Sequence, residues 1–271
     1  MSKAMTSLDI YEVEAFGAGL PFKGNPAAVV PLDRFLPDET LAAIAAANNL
    51  AETAFVVPSD IEGHYALRWF TPTVEVPLCG HATLATAFVI MTILRPHLPA
   101  VTFDTQSGLL AVTKAGDVLT LDFPSHGAEP AALPAGFAGA LGAAPREFHR
   151  SGGFFMAVFE TPADILALAP DFKALKASTP VAVIATAKAT PDSGVDFVSR
   201  MFAPAQGIDE DPVTGSAHCS LAPFWAARLG RDRLEARQLS SRGGYLSVES
   251  QGSRVAISGQ CRLYLEGRIH I

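Results

Sequence analysis

Two short stretches place reactive or polar side chains at the start of apolar helical runs: Pro77-Leu78-Cys79-Gly80-His81-Ala82 and Pro212-Val213-Thr214-Gly215-Ser216-Ala217. Small residues ahead of a helix leave its first N–H groups uncovered, and the helix dipole adds partial positive charge there. Such a terminus can hold a carboxylate or stabilise an enolate. Taken singly, either turn could be an ordinary cap in which Thr214 and Ser216 satisfy the backbone. Their occurrence as a pair favours the ligand-binding alternative. In a third stretch, "NNLAETAFV" (48–56), Glu52 lies between a helix and an apolar strand, where a partly desolvated carboxylate suits proton transfer. A solvated acid at a loop end is the alternative that residue type leaves open.

These residues need elements to hold them. Alternating or continuous β-branched and aromatic residues predict strands over Leu8–Phe16, Ala27–Pro31, Thr53–Val57, Tyr65–Phe70, Val101–Thr105, Leu109–Thr113 and Val118–Phe123. Helices are expected from Asp38 to Asn49, from His81 to Leu94, and from Ser216 to Leu229, where Gly230 stops the last one. The second and third are apolar almost all round, which places them inside a curved sheet or between sheets. Residues 123–139, rich in Pro, Gly and Ala, read as a linker or a loosely helical crossing. Strands resume at Phe154–Glu160, Val181–Ala187 and Asp196–Phe202, followed by four closely spaced strands between Leu234 and Ile271.

The two glycine turns belong to a longer repeat. Phe70 aligns with Phe202 and Pro72 with Pro204. After three extra residues, Glu75 to Ala82 falls on Glu210 to Ala217, so that His81 matches Ser216 and Cys79 matches Thr214. Each copy leads from a strand through a Pro turn to a glycine that opens a buried helix, which indicates duplication. The expected fold class is α+β with two pseudo-symmetric halves, 1–123 and 124–271, each a curved and mostly antiparallel sheet wrapped around a buried helix. The last strand can pack on the first half.

Composition narrows the function. A chain of 271 residues with 49% hydrophobic and 17% charged residues can bury a sizeable core. Its net charge of -7, without a Lys/Arg run, argues against a nucleic-acid partner. The apolar region Ala82–Leu94 is interrupted by threonines and too short to span a bilayer, and the first residues carry no signal-like pattern, so no membrane association is expected. Three cysteines without CxxC spacing fit a reduced, cytoplasmic setting. Cys79-Gly80-His81 and His218-Cys219 offer soft metal ligands, but both pairs sit at helix starts whose dipoles repel cations, so no metal is expected. The glycines at 17, 19 and 24 do not form GxGxxG, and Pro21 interrupts a helix start, so a dinucleotide is not expected either.

"FKGNPAAVV" (22–30), "NLAETAFV" (49–56), "RWFTPTVEVPLCGHATLATA" (68–87) and "DEDPVTGSAHCSLAPFWAARLG" (209–230) together resemble the phenazine-biosynthesis PhzF-like isomerase family, which has the diaminopimelate-epimerase fold. The resemblance runs in order through both halves. It carries no motif between about Pro124 and Val195. It implies a cofactor-free and metal-free proton shift on a small carboxylic acid, with Glu52 as the acid/base and with His81, Asp211 and Ser216 lining the cleft. Asn25, Gly80, Thr214 and Gly215 fall on substrate-binding positions. Related epimerases and racemases resemble one another in using two opposed cysteines; here Cys79 faces the position of Thr214, whose hydroxyl is too weak an acid or base for that task. Isomerisation by one carboxylate is therefore expected over epimerisation or racemisation. A non-catalytic binder of small molecules is the alternative from another class. Phe154, Phe155 and Met156 are candidates for a pocket wall, and a homodimer is the prior for an enzyme of this size.

Overall fold

The computed structural model describes residues 6–271, and the chain divides into two compact units: one of residues up to 122 together with 258–271, the other of residues 123–257. The first unit contains β1 (Ser7–Ala15), β2 (Asn25–Pro31), α1 (Asp38–Asn48), β3 (Glu52–Pro58), β4 (His64–Phe70), β5 (Glu75–Val76), α2 (Gly80–Val89), β6 (Ala100–Thr105), β7 (Gly108–Ala115) and most of β8 (Val118–Pro124). The second contains β9 (Ala128–Pro130), α3 (Phe137–Leu141), β10 (Glu147–Ser151), β11 (Phe154–Val158), α4 (Pro162–Ala167), α5 (Phe172–Ser178), β12 (Ala182–Lys188), β13 (Phe197–Ala203), β14 (Ile208–Glu210), α6 (Gly215–Leu229), β15 (Arg233–Gln238) and β16 (Gly244–Gln251). A long last strand, β17 (Arg254–His270), starts in the second unit and ends in the first.

In the first unit β1 pairs antiparallel with β2, β2 parallel with β3, β3 antiparallel with β4, β4 parallel with β6, and β6–β7–β8 follow as antiparallel neighbours. β17 pairs with β1 along its C-terminal length and also with β8, which closes the circuit of strands. Within this unit Thr120 Oγ1 and Ser258 Oγ share a hydrogen bond of 2.8 Å. Helix α2 lies against β1, β2 and β3 with every residue but Phe88 buried. A helix with no polar face is stable in water only when it is buried, and here the strands of the first unit bury it. A π-helical turn, Ile90–Leu94, ends the expected helical run. Helix α1 packs outside, with Leu41, Ile44 and Ala45 against Val30, Phe55 and Phe70. Asp38 and Glu39 complement its N-terminal dipole, and left-handed Asn49 ends it.

The second unit repeats this order. β10–β11 is antiparallel, β11–β12 parallel, β12–β13 antiparallel, β13–β14 antiparallel, β13–β15 parallel and β15–β16 antiparallel. Helices α4 and α5 take the place of α1, and α6 takes the place of α2. The repeat extends to an ion pair. Arg68 grips Glu75 through Nε and Nη2 at 2.7 and 2.8 Å, and Arg200 grips Glu210 through the same atoms at 2.7 and 2.9 Å. Each guanidinium also lies over a phenylalanine ring, Phe70 or Phe202. The duplication read from the sequence is thus a duplication of topology.

Some expectations need correction. Between Leu234 and Ile271 there are three strands, not four, because β17 runs unbroken through Gly259 and Gly267. Gly259 is kept there by packing: a Cβ at this position would come within 2.3 Å of the Phe16 ring. The stretch 123–139, read as a linker, holds β9 and α3. Strand β10 and helices α4 and α5 had no clear sequence signal; the two helices have only six and seven residues, too few for a periodic pattern to stand out. Among the described residues no helix is long and apolar enough to cross a membrane.

Candidate active site

The first unit gathers its reactive groups through a parallel strand pair. Glu52 opens β3 and pairs with Ala27 of β2; Asn25 lies two residues before Ala27, so Asn25 and Glu52 project from one face at the same strand ends. Entry into β2 depends on Gly24, at φ +78, where a Cβ would strike the Ala15 carbonyl oxygen at 2.2 Å. Phe16, Ala18 and Phe22 of the preceding loop also have positive φ, and the Phe22 N–H donates to Glu14 Oε2 at 3.1 Å, which holds the loop in this costly shape.

His81, the second residue of α2, meets both strand ends. Its Nε2 lies 3.0 Å from Glu52 Oε2, and its Nδ1 lies 3.1 Å from Asn25 Nδ2 and 3.5 Å from Cys79 Sγ. All four residues are buried. The Glu52–His81 contact has ion-pair distance without hydrogen-bond alignment, so Glu52 Oε2 and His81 Nε2 are buried polar atoms that lack a hydrogen-bond partner. Desolvation opposes the imidazolium, but the Cys79 sulfur and the Glu52 carboxylate outweigh it, and His81 ionises well above its ordinary value. Burial pushes the Cys79 thiol up to about 11. Glu52, Cys79 and His81 bring three potential metal-ligand atoms within 4.8 Å of one another. The positive end of α2 works against a cation there, and it favours an anion.

In the second unit Asp211, Thr214, Gly215 and Ser216 stand together at the start of α6. Thr214 Oγ1 hydrogen-bonds Asp211 Oδ2. Gln238, the fully buried last residue of β15, accepts from the Thr214 N–H at 2.9 Å and donates to Asp211 O and Thr214 Oγ1 at 2.7 and 3.1 Å. The sequence reading missed this glutamine. Its signal was the alternation of β15, which buries Leu234, Ala236 and Gln238 on one face. His218 Nδ1 bonds the Thr214 carbonyl at 2.8 Å, and burial lowers its pKa to about 4. Its neighbour Cys219 has Sγ 4.0 Å from Gly215 O, so the two side chains have separate partners.

Neither Cys79 nor Thr214 caps its helix with a side chain. A matched serine steadies each turn: Ser107 Oγ donates to Pro77 O at 2.8 Å, and Ser240 Oγ donates to Pro212 O at 2.7 Å. Within the first unit the structure brings together Asn25, Glu52, Gly80 and His81; within the second it brings together Asp211, Thr214, Gly215 and Ser216.

Residues 13–267 match the PhzC-PhzF family model, described as phenazine biosynthesis-like protein. The chain belongs to this family. An uncharacterized isomerase of Pseudomonas aeruginosa is 52% identical over 264 residues, which is 97% of this chain and 99% of that relative. A PhzF-family protein of Enterococcus faecalis, known from a crystal structure, is 43% identical with a TM-score of 0.92, and the match covers 98% of this chain and 100% of that one. A hydroxyproline epimerase of Agrobacterium vitis, at 16% identity and a TM-score of 0.62, shares the fold over 97% of this chain and 91% of its own. The fold is thus the α+β epimerase-like one, and family membership with isomerase relatives supports an isomerase-type enzyme.

Proposed function

We propose that this protein is a cofactor-independent isomerase that shifts a proton on a small carboxylic-acid metabolite, with Glu52 as its single acid/base. The observation that carries this reading is the buried Glu52–His81 pair, whose facing atoms lie 3.0 Å apart without hydrogen-bond alignment. His81, which ionises well above its ordinary value, faces the Glu52 carboxyl group, which is placed to act as the base. Glu52 takes a proton from a substrate carbon, and the released electron pair moves into the conjugated carboxylate as an enolate. The α2 N-terminus and His81 stabilise that charge. Glu52 then returns the proton to a second carbon on the same face, so atoms and charge balance without an added reagent.

Asn25 and Gly80 are assigned to the same ligand site; Asn25 lies against His81 Nδ1, where an imidazolium N–H calls for the Asn25 amide oxygen as its acceptor. Asp211, Thr214, Gly215 and Ser216 are the second unit's assigned ligand contacts. Two-base inversion is disfavoured because the Cys79 thiol is neutral and the Thr214 hydroxyl is engaged with Asp211. We assign the protein to the cytoplasm, as a homodimer without nucleic-acid partners.

The test is a screen of small unsaturated hydroxy and amino carboxylic acids in deuterated water, followed by NMR. Product formation is the readout, since internal proton return leaves a product unlabelled. For an acid that is turned over, Glu52→Gln should bind with similar affinity and turn over roughly two to four powers of ten more slowly. A folded, binding Glu52→Gln variant within a few-fold of the parent removes Glu52 from the mechanism. Binding without turnover by the parent across the panel marks a binding protein instead.

A further inference from the structure

Gln238 makes three hydrogen bonds, and all three go to the Asp211–Thr214 turn: Oε1 accepts from the Thr214 N–H, and Nε2 donates to Asp211 O and to Thr214 Oγ1. The amide can stand only one way. Exchanging its N and O would set a donor against the Thr214 N–H and an acceptor against the Asp211 carbonyl. Because Nε2 is purely a donor, Thr214 Oγ1 must accept from it, and the single hydroxyl hydrogen is then directed to Asp211 Oδ2. The chain of hydrogen bonds runs in one direction, from Gln238 through Thr214 to the Asp211 carboxylate.

The first unit shows that the fold itself does not require this device. There the matching strand β6 ends in Thr105, whose Oγ1 donates to Gly108 O rather than reaching the helix turn. The position matching Asp211 is Val76, which has no carboxylate to aim. Both units keep the serine-to-proline clamp, and only the unit with the aspartate adds the glutamine.

We propose that Gln238 is a positioning residue that orients the Asp211 carboxylate toward the ligand by way of the Thr214 hydroxyl. Its catalytic consequence rests on the proposed isomerase reading; its structural part can be read without turnover. The experiment compares Gln238→Met, which keeps the length but removes every side-chain hydrogen bond, with Gln238→Glu, which keeps an acceptor for the Thr214 N–H but, whether ionised or neutral, cannot supply both donors. Amide and side-chain carboxyl NMR of the labelled full-length protein is recorded at pH 7, with thermal melting to check folding.

In Gln238→Met the Thr214 amide proton should move upfield and the Asp211 Cγ signal should shift. In Gln238→Glu the Thr214 amide should stay near its parental position while the Asp211 signal shifts. With an acid that the parent turns over, both variants should lose on the order of ten- to a hundredfold in kcat, because a misaimed group is costly when the reacting geometry is exact to about an ångström. Parental Asp211 signals in a folded Gln238→Glu, or parental kcat in either folded variant, overturn the proposal. If Gln238→Met does not fold, Gln238→Glu decides alone. An inactive parent with shifted Asp211 signals would sink the isomerase reading and leave the positioning role standing.

Discussion

Two histidines on matched helices take opposite charge states, and only their neighbours account for the difference. His81 faces Cys79 and Glu52 and ionises above its ordinary value; His218, two residues farther along its own helix, meets the Thr214 carbonyl and the Phe197 ring, and burial lowers its pKa to about 4. The sign of the consequence for His218 follows. Unfolded, its pKa is near 6.5; folded, near 4, so its stability contribution is complete above 6.5 and is lost as pH falls through that window. The loss should amount to on the order of 3 kcal/mol. Denaturation of the parent and His218→Gln between pH 7 and 4 should show a flatter acid limb in the variant; parallel curves would exclude this assignment. Glu52 and His81 were readable from residue type and motif. Gln238 was not, because a glutamine at a strand end looks solvated until the strand's inward face is known.

At the scale of elements, the paired arginines differ in what they hold. Arg68 binds Glu75 and the exposed Asp38. Arg200 binds Glu210 and also donates to Ile165 O and Leu168 O at 3.1 and 2.8 Å, which ties the end of α4 to β13. Removing Arg200 leaves Glu210 and two carbonyls without their donor, so Arg200→Met should cost about 3 kcal/mol against about 1 for Arg68→Met. Urea denaturation of the two variants measures this, and equal losses would show that the α4 contacts contribute nothing. The long strands of the first unit up to β8 and the enclosed helices were legible from hydrophobic pattern, whereas the unbroken length of β17 was not. The short α4 and α5 were not, since their boundaries come from local caps: a Thr161–Asp164 capping box and the Asp171 carboxylate accepting the Ala174 N–H.

On the scale of the whole molecule, the chain enters the second unit after Asp122 and returns to the first at Ser258. The first unit is therefore discontinuous in sequence. β1 relies on β17 for one of its two neighbours, with Ser7 to Ala15 paired against His270 to Cys261. A chain ending at Ile257 should lose amide-exchange protection in β1 and β2 and the cooperative unfolding of the first unit. Native-like protection in that truncation would show that β17 is dispensable.

The duplicated turn, the buried character of α2 and α6, and Glu52 as a chemically capable residue were determined by the sequence alone, while His81, Asp211 and Ser216 were assigned through the motifs shared with the family. They depend on side-chain type and on spacing over a few residues, and both are present in the linear chain. Only the tertiary structure decided that Asn25 reaches His81, that Gln238 aims at Asp211 through Thr214, and that the last strand completes the first unit. These contacts join residues separated by 24 to 263 positions. Their partners are selected by strand pairing and register, and no local pattern encodes which distant strand a segment will meet.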